Sequence, residues 1–411
     1  MVGTGGAPVG SVGALVASIG LSVALVSRRV HIGFSLLSGG VLFALLLGDP
    51  LLLARSARSM VGSYLFWHTT LVVALVIAMN SIMEQAGFMR KLLEVLDRII
   101  RWPRVTLITP PALLGLLPMP AGALFAADLS RTTGERIGLS VDEIIYVNYW
   151  WRHIWEGFWP LFAAVIMEAG LLKASIGEVS SRQAFILLSM VASGVLLMPP
   201  SRRELDRVKD QAGGIRASDL LEIARYTWPL MGVIAGAFLV PLPMWVTLSA
   251  VVLALAIKVP RGTISAPKLR KALDPRIFLA LVSVFLFKEL LYASGAIEST
   301  SQLLLGLGLP KALVFFLLPF VVGFATGITV AYVALAFPLL IPLAGGDLTA
   351  MAWAFAGGYM GVMSSPMHLC LALTKEYLGG SWGGVYRRLA PSVAVSAALC
   401  SLFYVAARGW L

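Results

Sequence analysis

The sequence predicts an all-α polytopic membrane protein made of two inverted repeats, each with five transmembrane spans and one re-entrant helical hairpin. Three observations predict it. Of 411 residues, 58% are apolar and only 13% charged, too little polar residue to cover a water-soluble surface, so the bilayer is the solvent. The order of apolar elements recurs once along the chain. The basic residues collect on one side of the topology which that order defines.

In chain order, apolar runs place spans near 11–27, 31–48, 61–80, 141–172 and 183–200, then near 226–241, 243–259, 277–294, 347–375 and 389–408. Two apolar stretches are left over, 105–129 and 311–343, each interrupted near its middle by Pro and Gly: Leu117-Pro118-Met119-Pro120-Ala121-Gly122 and Gly323-Phe324-Ala325-Thr326-Gly327. A helical arm of about 12 to 15 residues rises only ~20 Å, short of the ~30 Å hydrocarbon core. The first stretch therefore cannot make two full crossings, and both are expected to enter and leave on one side, the second with longer arms. Between the third span and the first hairpin, Phe88 to Trp102 alternates Leu, Val and Ile with Arg, Lys, Glu and Asp at helical spacing, which predicts an amphipathic helix lying in the membrane interface. The polar stretch 201–225 is expected to link the halves, 1–200 and 226–411.

Sparse identities accompany the repeated order. Gly87 and Gly295 each end a span and Gly115 and Gly323 each sit in a hairpin, both pairs 208 residues apart. Tyr149 and Tyr359, Pro160 and Pro366, and Gly170 and Gly379 align at nearly the same offset. Five crossings per half is odd, so the second half must be inverted relative to the first. With that topology, 24 of the 32 basic residues fall on one side and 6 on the other, with Arg152 and Lys288 inside spans. The basic side is expected to be cytoplasmic and both termini extracytoplasmic, in the cell membrane; Met1 to Ser11 lacks the basic start of a secretory signal. The net charge of +11 is scattered through short loops, which predicts orientation in the bilayer and no nucleic-acid partner. Cys370 and Cys400 have neither metal-knuckle nor disulfide spacing and are read as packing residues.

Chemistry concentrates in the two longest spans. Residues 141–172 would extend ~50 Å as one helix, too long unless tilted or broken, and they contain Asn148-Tyr149-Trp150-Trp151-Arg152-His153-Ile154-Trp155-Glu156. Their counterpart carries Gly357, Gly358 and Gly361 ahead of Ser364-Ser365-Pro366-Met367-His368. Pro366 lacks an N–H and crowds the carbonyl four residues back, so this helix is expected to unwind around Met363 to Ser365. Broken helices expose carbonyls and helix ends that bind ions or substrate.

A charge within a span costs roughly 2.5 kcal/mol or more, which makes Arg152, His153 and Glu156 the most informative cluster. Either Arg152 and Glu156 pair with each other among the neighbouring Trp residues, or Arg152 neutralises an anionic substrate while His153 or Glu156 orients it or carries a proton. The expected substrate site is Asn148, Arg152, His153 and Glu156 with the first hairpin tip, Pro118, Met119, Pro120, Ala121 and Gly122. In the second half, Thr326, Gly327, Thr329, Ser364 and Ser365 offer hydroxyls and freed carbonyls without a nearby carboxylate, a set suited to one sodium ion; the alternative is that these small residues only permit close helix approach. His368 either satisfies backbone or joins the site. Glu84, Asp128 and Glu168 lie near span ends and are read as interfacial, and Lys288-Glu289 as an ion pair.

The run Asn148 to Glu156, the Pro-rich first hairpin and Gly358-Tyr359-Met360-Gly361-Val362-Met363-Ser364-Ser365-Pro366-Met367-His368-Leu369-Cys370-Leu371 resemble an uncharacterised family of prokaryotic integral membrane proteins. That family looks like a branch of the ion transporter superfamily, which includes dicarboxylate, citrate, gluconate and arsenite carriers. The resemblance covers nearly the whole chain and implies a scaffold that dimerises, a mobile subdomain holding both hairpins, and elevator-type motion. The Ser-Asn-Thr hairpin tips of the sodium dicarboxylate carriers are replaced here by Pro118-Met119-Pro120 and Thr326-Gly327-Ile328-Thr329, so the resemblance carries over the place of the site but neither the substrate nor the coupling ion.

The sequence thus predicts a homodimeric secondary active transporter of a small organic anion, coupled to sodium or protons and without another cofactor. A channel or passive facilitator would use the same repeat around a continuous wet path. A membrane metalloenzyme is the third reading, since His153-x-x-Glu156 could ligate a metal, but there is no His-Glu-x-x-His motif and no evident third ligand; no enzyme is expected.

Overall fold

The computed structural model describes residues 8–100, 102–116, 122–200, 216–240, 242–296, 299–300, 306 and 308–409. All regular structure among them is helical. The first half contains α1 (Pro8–Ser27), α2 (Ile32–Leu46), α3 (Leu51–Gly62), α4 (Tyr64–Gln85), α5 (Phe88–Ile99), α6 (Pro103–Gly115), α7 (Gly122–Arg136), α8 (Val141–His153), α9 (Ala163–Leu172) and α10 (Ile176–Leu196). The rest contains α11 (Ala217–Phe238), α12 (Met244–Lys258), α13 (Ala266–Ala272), α14 (Pro275–Ala293), α15 (Lys311–Thr326), α16 (Thr329–Ala344), α17 (Leu348–Ser364), α18 (Leu369–Leu378) and α19 (Trp382–Gly409).

Among the described residues three helices are long and apolar enough to cross a membrane: α4, α10 and Trp382–Arg408 of α19. The shorter apolar helices, of 10–17 residues, are Ser11–Ser27 of α1, α2, α9, α12, α15 and α16. Two helices fall where hydropathy placed only loop, α3 and α13. α11 begins at Ala217, inside the polar stretch that ends at 225.

Local signals explain where the central helices start and stop. Ser140 caps α8 by accepting from the Glu143 N–H at 3.4 Å, while the Glu143 carboxylate accepts from the Ser140 N–H at 2.9 Å, a reciprocal capping box. Ser175 and Glu178 repeat that device at α10. Asp347 caps α17, accepting from the N–H groups of Thr349 at 2.9 Å and Ala350 at 3.0 Å. Between α15 and α16 the chain reverses at Gly327, whose φ of +66° is one that side chains with a Cβ rarely adopt.

The most buried elements are α8, α16 and α17. Every residue from Ala350 to Met363 of α17 is buried, and so is every residue from Glu143 to His153 of α8; helices covered on all faces belong at the centre of the molecule. α17 packs along α15 through a glycine stripe. A Cβ at Gly357 or Gly361 would lie 2.3 or 2.2 Å from the carbonyl oxygens of Phe316 and Phe320, and one at Gly323 would lie 2.3 Å from that of Gly358. Only glycine permits this backbone approach. α8 and α17 are flanked by α10 and α19, α9 packs on α16, and α18 packs on α7 and α8.

α5 carries the amphipathic pattern. It buries Met89, Leu92 and Val95 and turns its charges outward, where Arg98 pairs with Glu222 of α11 at 2.8 Å. The Glu222 carboxylate pushes the Arg98 guanidinium further above its ordinary range.

Candidate functional site

The stretch 141–172 is two helices, α8 and α9, joined by a run of turns over 154–162 that ends just past Pro160. The stretch 347–375 is also two helices, because α17 ends at Ser364, two residues before Pro366, and α18 starts at Leu369. The two breaks face each other. Tyr359 on α17 donates its hydroxyl hydrogen to the carbonyl of His153, the last residue of α8. Tyr149 on α8 donates to the carbonyl of Met363 at the end of α17, at 3.3 Å. A helix end leaves carbonyls without intrahelical partners, and here each helix caps the other. The two tyrosines are 210 residues apart in the chain, and so are the two carbonyls they reach.

Polar side chains from both breaks converge beside these ties. His153 Nδ1 lies 2.6 Å from the Tyr149 carbonyl and His368 Nδ1 lies 2.8 Å from the Gly327 carbonyl. A carbonyl oxygen only accepts, so Nδ1 carries the hydrogen in both rings. The Nε2 atoms then face each other at 3.1 Å, with the rings near perpendicular at 80°. Cys370 completes a triad in which the ligand atoms of His153, His368 and Cys370 all lie within 4.8 Å of one another. Glu156 Oε2 is 4.0 Å from His153 Nε2, and the other carboxylate oxygen accepts from the Thr329 hydroxyl at the start of α16. His153 and His368 are buried, 5% and 7% exposed.

The remaining expected site residues divide into two groups. Arg152 is buried, 7% exposed, and its carbonyl abuts Gly115 so closely that a Cβ there would lie 2.0 Å from the oxygen; the end of α6 thus rests on the end of α8. Asn148 is buried and reaches Thr374 of α18 at 3.5 Å. Gly122 opens α7, while Pro118, Met119, Pro120 and Ala121 lie outside the described residues. The hydroxyls of the second group close the hairpin onto the break. Ser365 donates to the Phe324 carbonyl at 2.6 Å and accepts from the Met367 N–H at 3.1 Å. Thr326 donates to the Val322 carbonyl at 2.8 Å, and Ser364 to the Met360 carbonyl at 2.7 Å. From α1, Ser27 reaches the Ala325 carbonyl at 2.7 Å.

Residues 10–407 match the model of the family described as Protein of unknown function (DUF401). The chain belongs to that family. No curated protein matches it. Both broken helices, the hairpin around Gly327 and every residue of the polar cluster fall within the matched stretch.

Three residues have different surroundings from those their local sequence suggested. Thr329, expected to lie without a nearby carboxylate, donates to that of Glu156, because the break after α8 brings Glu156 to the start of α16. Cys370, expected only to pack, faces His153 and His368; the one local signal was its place two residues after His368, just beyond Pro366. Glu168, expected at an interface, is 1% exposed in α9 and accepts from the Gln183 side chain of α10. Lys288 and Glu289 do pair, at 3.1 Å, and Ser59 of α3 holds the second Glu289 oxygen at 2.8 Å.

Proposed function

We propose that this protein is a secondary active transporter which moves a small organic anion across the cytoplasmic membrane, coupled to sodium or protons. One observation carries the reading: the ends of two broken helices and the turn of a helical hairpin meet at one buried polar point. Helix ends and interrupted backbone inside a bundle supply fixed partial charges for a small ion or substrate group. The reciprocal tyrosine bonds, related by the same 210-residue offset at donor and acceptor, support a pair of inverted repeats, 1–200 and 226–411, joined through 201–225. In this reading 105–129 and 311–343 are re-entrant hairpins, five spans per repeat leave both termini outside, and the protein works as a homodimer with an elevator-type motion like that of the ion transporter superfamily.

Arg152 is the anion contact, assisted by Asn148 and by the first hairpin tip from Pro118 to Gly122. A planar guanidinium binds a carboxylate through two parallel bonds, so Lys cannot replace it well. The coupling ion is held near Thr326, Gly327, Thr329, Ser364 and Ser365, whose hydroxyl and carbonyl oxygens suit sodium; Glu156 and His153 serve the proton version of the same coupling.

The test begins with a thermal-shift screen of the purified protein against carboxylates, oxyanions and amino acids, in sodium and in potassium. Stabilisation by one anion only in sodium identifies both substrate class and coupling ion. Uptake of that anion into proteoliposomes should saturate and require an imposed gradient. Flux that neither saturates nor needs one would make the protein a channel. Arg152→Ala should abolish uptake and Arg152→Lys restore little; unchanged uptake by Arg152→Ala removes Arg152 from the site.

A further inference from the structure

We propose that His153, Glu156, His368 and Cys370 form a tetrahedral site for a borderline-soft transition-metal ion, of which Zn²⁺ is the natural representative. Because Nδ1 of each imidazole donates to a backbone carbonyl, each neutral ring directs an Nε2 lone pair at the other across 3.1 Å. Two lone pairs at that distance repel unless a cation lies between them.

The spacing fits a metal. Zn–N bonds of about 2.0–2.1 Å at a tetrahedral angle separate two ligand nitrogens by about 3.3 Å, close to the 3.1 Å found. With a Zn–S bond of about 2.3 Å, a thiolate belongs about 3.6 Å from each nitrogen; the triad already lies within 4.8 Å. Glu156 Oε2, at 4.0 Å from His153 Nε2, needs to move in by about half an ångström to become the fourth ligand.

The surrounding bonds are those a metal site requires. Ligating histidines donate their second ring N–H to a carbonyl or carboxylate, which fixes tautomer and ring direction; both do so here. The free edge of the Glu156 carboxylate is held by Thr329. A donor set of two imidazoles, one thiolate and one carboxylate favours zinc or a similar ion over sodium, magnesium or calcium, which take oxygen ligands. A proton shared between the imidazoles would relieve the repulsion, but it leaves the convergence of Cys370 and Glu156 unexplained.

The site draws His153 and Glu156 from the first break and His368 and Cys370 from the second, so a bound metal would pin the breaks together. This inference does not depend on the transport reading, and its test needs no substrate. Purified full-length protein is stripped with chelator, loaded with Zn²⁺, and its metal content measured; one equivalent per chain is expected. Loading with Co²⁺ should produce a thiolate-to-cobalt charge-transfer band and intense tetrahedral ligand-field bands. Cys370→Ser should remove the charge-transfer band, while Cys400→Ser keeps it. Thr329→Val should weaken the affinity about 10–100-fold, as loss of a supporting bond does. Substoichiometric zinc in the wild type overturns the site and leaves the histidines to a shared proton. A cobalt spectrum that Cys370→Ser leaves unchanged overturns the assignment equally.

Discussion

Replacing Tyr359 by Phe deletes the hydroxyl that caps the end of α8 and leaves every other atom of a fully buried ring in place. Stranding a buried carbonyl costs about 1–3 kcal/mol. The His153 carbonyl keeps a second donor, the Glu156 N–H at 3.2 Å, which puts the loss in the lower part of that range, about 1–1.5 kcal/mol. That is roughly a five- to thirteenfold fall in the ratio of folded to unfolded protein. Tyr149→Phe removes the longer bond, 3.3 Å to the Met363 carbonyl, and should cost less, about 0.5–1 kcal/mol. Tyr332 supplies the control: its ring is equally buried, but its hydroxyl has no hydrogen-bond partner among the described residues, so Tyr332→Phe removes no bond and should leave stability unchanged or raise it by up to about 1–3 kcal/mol. The assay is equilibrium unfolding in mixed micelles as the denaturing detergent fraction rises. The expected order of loss is Tyr359, Tyr149, Tyr332. A Tyr332→Phe loss equal to that of Tyr359→Phe, or a Tyr359→Phe protein indistinguishable from wild type, would refute the capping account.

Gly361→Ala forces a Cβ to within 2.2 Å of the Phe320 carbonyl oxygen; separating α15 from α17 should cost at least about 1–3 kcal/mol, while Gly383→Ala, with open space around it, should be neutral in the same assay. Gly327→Ala imposes a left-handed φ on Ala and places its Cβ 2.6 Å from the backbone nitrogen of His368, so the backbone that carries His368 must shift; the cobalt spectrum of that variant should broaden or vanish even where the protein still folds. Ser140→Ala removes the cap of α8 and should cost about 0.5–2 kcal/mol, measured by unfolding.

Much of the central architecture is legible in the residues themselves. Pro366 stops α17 for a reason that needs no tertiary information, and Gly327 marks the turn between α15 and α16 because few other residues accept its φ. The excess length of 141–172 announces an interruption, although only the fold places it over 154–162. Hydropathy misses α3, with Arg55 and Arg58 in its sequence, because an amphipathic helix has little net apolar character over a long window. It also sets Glu168 at an interface, since the burial of that residue depends on α10 and α16 packing over α9. The meeting of His153 with His368 and Cys370 is invisible locally: the two histidines are 215 residues apart and no motif spacing joins them. Likewise Tyr149 and Tyr359 register as a coincidence of offset, while their purpose depends on the direction in which two helices end.

The crossed tyrosine bonds also set a timetable for biosynthesis. Tyr149 and the His153 carbonyl leave the ribosome 214 and 206 residues ahead of the groups that will pair with them, the Met363 carbonyl and Tyr359. At about 5–20 residues per second, the first broken helix waits roughly 10–40 s for its partner. Throughout that interval it holds a polar break with no matching surface, which makes the nascent first half a client for whatever insertase or chaperone can shelter it. A chain stopped before residue 359 should remain in that state and be degraded, however well its own helices have formed.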